Sequence, residues 1–125
     1  MSKYIFEINK RLPSFNEYTR VNRTNRYAGA EMKKREEEFI YLAIKNQLGN
    51  LKIKNPVKVN FLWIEENGKR DLDNICFAKK FVLDALVKAG TIENDNRKQV
   101  IGFVDNFEYA SFSKVIVELE EIEWI

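Results

Sequence analysis

The 125-residue chain contains no histidine and a single cysteine, Cys76. Without histidine there is no Ser-His or Cys-His pair to activate a nucleophile, and no imidazole to bind a metal. One cysteine makes neither an intrachain disulfide nor a cysteine-rich zinc site. Any bound metal must then be held by carboxylates, carbonyls and water, which favours Mg²⁺, Mn²⁺ or Ca²⁺ over zinc. Long apolar runs are lacking too. The longest nearly apolar stretch, Phe39 to Ile44, is far too short to span a bilayer. Met1-Ser2-Lys3-Tyr4 lacks the apolar stretch of a signal peptide. These absences predict a soluble protein of a reducing compartment, with no membrane association.

What is present suits one domain, residues 1–125, and 45% hydrophobic residues can supply its core. The formal net charge of +2 conceals a gradient. Residues 1–63 carry 13 Lys/Arg against 6 Asp/Glu, and residues 64–125 carry 8 against 13. A basic half followed by an acidic half fits a polyanion surface beside a cation site, although chance segregation gives the same totals.

Lys3 to Asn9 alternates, with Tyr4, Phe6 and Ile8 on one side, and reads as a strand. Lys10 to Tyr27 is polar and basic and reads as a long loop, a feature that is more often functional than not. Ala28 to Leu48 carries a helical stripe through Met32, Phe39, Ile40, Ala43, Ile44 and Leu48, and stops at Gly49-Asn50. Val57, Val59, Phe61 and Trp63 alternate as a second strand, broken by Glu66-Asn67-Gly68. Asp71 to Ala89 reads as a second helix ended by Gly90. Gln99 to Val104 and Phe112 to Leu119 read as two strands joined near Asp105-Asn106. The order β-α-β-α-β-β predicts an α/β or α+β domain with a mixed sheet and two main helices. The apolar tail Ile122-Glu123-Trp124-Ile125 either continues the last strand or packs on a partner.

The chemically informative segment is Lys69-Arg70-Asp71-Leu72-Asp73-Asn74. Two carboxylates two residues apart at a strand-to-helix junction can converge on one cation, and the helix N-terminus attracts phosphate. Ordinary helix capping by aspartate explains the same spacing. At about 100° per residue from Asp73, Lys80 falls near 340° and Asp84 near 20°, while Lys79 falls near 240°. The core stripe Ile75, Ala78, Val82, Ala85, Leu86 and Ala89 faces the other way. Asp73, Lys80 and Asp84 therefore share a face, and a solvated face with an i,i+4 ion pair is the alternative. Cys76 reads as a small, semi-buried residue. A third acidic group follows at Glu93-Asn94-Asp95, where a simple turn is the bland explanation.

Taken together, these residues resemble the RusA-like Holliday-junction resolvases, small endodeoxyribonucleases of phages and prophages. The resemblance runs through Arg70-Asp71-Leu72-Asp73-Asn74, Leu83-Asp84-Ala85-Leu86, Gly90 and Asn94-Asp95. Leu12-Pro13-Ser14-Phe15-Asn16-Glu17-Tyr18 and Asn25-Arg26-Tyr27-Ala28-Gly29-Ala30 are similar to the phage branch, so most of the chain is covered. Asn94 departs from the family's usual acidic pair.

The resemblance implies that Asp71, Asp73 and Asp95 bind Mg²⁺, with Mn²⁺ as a substitute. It implies a catalytic lysine at Lys80, with Lys79 as the other candidate, and leaves Asp84 and Asp105 as further possible acids. It implies paired symmetric nicks in a four-way junction during DNA recombination or repair, performed by a twofold homodimer in the bacterial host cytoplasm. The basic stretch Lys10 to Arg35, with eight Lys/Arg and two acids, fits phosphate contact. Its candidate DNA-binding residues are Lys10, Arg11, Arg20, Arg23, Arg26, Lys33 and Lys34, joined by Lys69 and Arg70. A solvated connection explains the same charges. A branched-DNA-binding module without cutting activity and a nuclease for other branched DNA are the competing functions.

Overall fold

The structure, a computed structural model, describes residues 2–123. Trp124 and Ile125 lie outside them. The elements follow as β1 (Lys3–Ile8), α1 (Phe15–Thr24), α2 (Arg26–Leu48), β2 (Val57–Glu65), α3 (Leu72–Cys76), α4 (Lys79–Lys88), β3 (Val100–Tyr109) and β4 (Lys114–Glu121). The fold is α+β, with a mixed sheet ordered β1-β4-β2-β3. Strand β4 runs antiparallel to β1 and β2, whereas β2 and β3 are parallel. A parallel pair needs a crossover connection, and α3 with α4 supplies it.

Alternation in the strands sends Phe6, Ile8, Val57, Val59, Phe61, Trp63, Val115, Val117 and Leu119 into one buried cluster. Helices contribute Ile40, Ile44, Phe81, Val82, Ala85 and Leu86 to the same cluster. This two-layer arrangement buries apolar residues of α2 and α4 against one sheet face. Ile5, Asn60 and Glu118 lie in register on the opposite face.

Three sequence expectations are corrected. The segment 10–27 is not a continuous loop: Ser14 caps α1 with a reciprocal capping box, its hydroxyl accepting from Glu17 N at 3.1 Å. Asn25 caps α2, so that helix starts at Arg26. The 71–89 helix is divided. Ala78 N, Lys80 N and Phe81 N bond to the carbonyls of Ile75, Phe77 and Ala78, three residues back. Each such tightened step turns about 120° instead of about 100°, so the phase carried from Asp73 slips across Phe77 and Ala78. At this tightened turn the ring of Phe77 packs against Phe15 and Tyr18 of α1 at 5.2 and 5.6 Å. Finally, Asp105-Asn106 is no joint. Strand β3 runs on to Tyr109.

Candidate nucleic-acid and metal site

Asp71 stands at the N-cap of α3 with extended backbone (φ −69°, ψ 151°) and makes no side-chain capping bond. Capping is done by its backbone instead, whose carbonyl accepts from Asn74 N and Ile75 N at 3.1 and 3.2 Å. Asp73 lies in the first turn of α3. Both residues are exposed. Two neighbouring carboxylates are thus presented to solvent at a positive helix end, with neither spent on holding the fold.

Asp95 returns to the other end of α4. Gln99, which is buried, fixes this return. Its Oε1 accepts from Glu93 N at 2.8 Å and Asn94 N at 3.2 Å, and its Nε2 donates to Ile53 O at 2.6 Å. The chain after Gly90 therefore runs back along the helix, and the Lys80 ammonium meets Asp95 Oδ2 at 3.3 Å. Lys80 also meets Asp84 Oδ1 at 3.1 Å, one helical turn away. Lys33 of α2 reaches the other oxygen of Asp84 at 3.4 Å. The hydrogen bond to Asp84 raises the pKa of Lys80, and Asp95 adds to this against the opposing effect of burial. Lys80 is consequently a cation at neutral pH, suited to phosphate and unsuited to base catalysis.

Lys79 points elsewhere. Its ammonium lies 2.7 Å from Asp105 Oδ2 and 4.4 Å from the centroid of the Phe103 ring. The indole Nε1 of Trp63 donates to Asp105 Oδ1 at 2.9 Å. Asp105 and Lys79 thus clamp the start of α4 to the edge strand β3. Neighbours on a helix diverge by about 100°, so Lys79 meets Asp105 while Lys80 meets the acidic pair. Burial pushes the Cys76 thiol up, with Asp105 and Asp73 adding and Lys79 opposing. A thiol held protonated is a poor nucleophile.

Among the described residues, no group of three His, Cys, Asp or Glu side chains is placed to share a metal ion. The Asp71/Asp73 pair stands at the start of α3, and Lys80 gathers Asp84 and Asp95 beside α4.

The basic residues sort by exposure. Arg20 and Arg23 on α1, Arg26 and Lys34 on α2, and Lys69 before α3 are exposed. Arg11 is half exposed and lies 3.4 Å from Glu17. Lys33 is drawn to Asp84, and Lys10 meets both oxygens of buried Glu36 at 2.7 and 2.8 Å. Arg70 is the clear correction. Its side chain is only 9% exposed. It donates to Glu17 Oε1 at 2.5 Å, Leu12 O at 2.7 Å and Glu65 Oε1 at 3.2 Å. Arg70 therefore ties the start of α1 to the end of β2 and is not presented to a phosphate backbone.

Glu37 of α2 faces the same α4 surface. Burial lifts its carboxyl above the ordinary value of 4.5, and Asp84 adds to this against Lys33. An acid whose folded pKa is raised carries no penalty below its unfolded value. The penalty grows as pH climbs toward the folded value and persists above it. Glu37→Gln is expected to raise Tm at pH 7, by on the order of 1 °C. The gain should vanish near pH 4, where Glu37 is already protonated. Thermal melts across that range check this, and a gain that is equal at both pH values would remove the electrostatic explanation.

No protein-family model matches the chain, and no curated protein matches it.

Proposed function

We propose that this chain is a Mg²⁺-dependent, structure-selective endodeoxyribonuclease that resolves four-way DNA junctions, as its resemblance to the RusA-like family implies. The observation that supports this most is the pair Asp71 and Asp73, exposed at the start of α3 with Asp71 uncommitted to capping. Mg²⁺ is commonly bound through one or two carboxylates, with water and substrate phosphate completing its shell. The hard-oxygen pair fits that pattern without a third protein ligand. When bound, the ion neutralises phosphate charge and lowers the pKa of a coordinated water.

Asp71 and Asp73 would hold the ion. Lys80 gives its ammonium to the charge that builds on the phosphate. For that it must exchange part of its pairing with Asp84 and Asp95, which would free Asp95 to serve as the further ligand that the family resemblance implies. Water attacks phosphorus and the bond to O3′ breaks, leaving a 5′-phosphate and a 3′-hydroxyl. The exposed Arg20, Arg23, Arg26, Lys34 and Lys69 contact backbone phosphates and position the branched DNA. Paired nicks in opposed strands need two sites, so a homodimer is part of the proposal, with the bacterial cytoplasm as its setting. No helix among the described residues is long and apolar enough to cross a membrane.

A non-cutting DNA-binding module is favoured by one observation, that no acidic trio is assembled among the described residues. A synthetic four-way junction incubated with and without Mg²⁺ separates the two. Paired symmetric nicks only with Mg²⁺ are expected. Binding without cleavage at every Mg²⁺ and Mn²⁺ concentration would leave only the binding module.

A further inference from the structure

The carboxyl ends of the parallel strands β2 and β3 open into a cavity of about 200 Å³ beneath α3. This is smaller than the roughly 300–1,000 Å³ that holds a drug-sized ligand, and it suits a single heteroaromatic ring. In open sheets, the crevice beyond the carboxyl ends of parallel strands is the usual place for a ligand. Buried Ile75 and half-buried Phe107 line its inner part. Leu72 and Tyr109 line its outer part and remain 54% and 74% exposed.

The polar groups around this slot have the chemistry of base edges. Exposed Asn67 and Glu108 lie at its border. An amide both donates and accepts, and a carboxylate accepts from an exocyclic amino group. Arg70 lines one wall, and its Nε is buried with no acceptor among the described residues. The aromatic wall is also built in place. Tyr109 lies over the loop after β2, where a Cβ on Gly68 would sit 3.0 Å from its hydroxyl oxygen. Leu72, which lines the slot, stands in the chain between Asp71 and Asp73.

We propose that this cavity receives one unstacked nucleobase of the DNA substrate, next to the phosphate that Asp71 and Asp73 address. The inference rests on the nuclease reading and deepens it. Rings stack on Tyr109 and Leu72, while edge contacts to Asn67 and Glu108 make the cleavage rate depend on which base enters. Branch-point bases are the easiest to supply, because partly unpaired bases leave the stack most readily.

The test places 2-aminopurine at successive positions around the mapped cut site and reads its fluorescence on binding with Mg²⁺ withheld. A several-fold rise at one position is expected. Tyr109→Ala should lose that rise, weaken junction binding and slow cleavage each by about 10-fold and flatten the base preference, with thermal melting nearly unchanged. Tyr109→Phe should keep the rise, the rate, the affinity and the base preference. Cleavage with no fluorescence change at any position overturns the proposal, as does wild-type preference in Tyr109→Ala, and in both cases the nuclease reading stands. A protein that neither binds nor cuts the junction overturns the nuclease reading itself.

Discussion

Asp73→Asn is expected to abolish junction cleavage while leaving junction binding intact or tighter. Asp73 is exposed in the first turn of α3, so its removal disturbs little of the fold. Surface substitutions of this kind shift stability by about 0.5 kcal/mol or less. The asparagine keeps the size of the side chain and removes a charge. That loss matters twice. A ligand pair reduced to one carboxylate holds Mg²⁺ poorly, and losing a partner that merely supports a ligand already costs about 10–100-fold. Loss of the ligand itself should exceed the upper figure. Meanwhile one negative charge fewer beside the phosphate removes repulsion in the complex. The measurement is a paired one on the same junction, cleavage rate in Mg²⁺ and affinity without it. Activity near wild type would remove Asp73 from the metal pair, and a loss of binding equal to the loss of cleavage would assign it to DNA contact instead.

Strands β1, β2 and β4 are legible because alternation is a local signal that burial on one sheet face enforces. Helix α2 is equally legible from its stripe and from Gly49, whose φ of 60° only glycine adopts freely. Helix α1 hides in a polar segment, with none of its residues buried. One local signal for it exists, Ser14-Phe15-Asn16-Glu17, which has the form of a capping box and forms one. The division between α3 and α4 has no such signal. It coincides with Phe77 meeting Phe15 and Tyr18, which are near in space and distant in the chain. Likewise, Asp105 sits within β3 because Trp63 and Lys79 satisfy both its oxygens, and neither partner is a sequence neighbour.

The same division runs through the site. Lys80 and Asp84 are one helical turn apart, so their pairing follows from spacing alone. Lys80 meeting Asp95 needs the chain to fold back along α4, which Gln99 arranges through Ile53 O at a separation of 46 residues. The slot between α3 and the ends of β2 and β3 was unreadable for the same reason, since its walls come from three elements. Local chemistry is visible in the order of residues, and convergence is not.

Arg70 shows what that difference means for an experiment. Beside Lys69 and Asp71 it looks like a phosphate contact, yet two of its partners, Glu17 and Leu12 O, lie 53 and 58 residues away. Arg70→Met is expected to lower stability by about 3 kcal/mol, the low end for breaking a buried pair, because Glu17 stays partly solvated. For a chain of this size that is a fall in Tm of about 10 °C. The effect has a pH signature. Burial alone would raise the Glu17 pKa, but the hydrogen bond and charge of Arg70 outweigh it and hold the carboxyl below 4.5. A lowered folded pKa gives stability that is present above the unfolded value and lost as pH falls through the folded one. In Arg70→Met the burial of Glu17 is opposed only by Ser14 and Arg11, so the stability that its ionised form draws from Arg70 is gone. The stability gap between the two proteins should therefore shrink as pH falls through the carboxylate range. DNA binding supplies the other half of the test. A residue that neutralises a phosphate reduces the slope of log affinity against log salt by about 0.9 when removed. Arg23→Ala should show that reduction with little change in Tm. Arg70→Met, assayed below its melting temperature, should show the fall in Tm and an unchanged slope. The reverse pattern would return Arg70 to the DNA surface, where its position in the sequence first suggests it belongs.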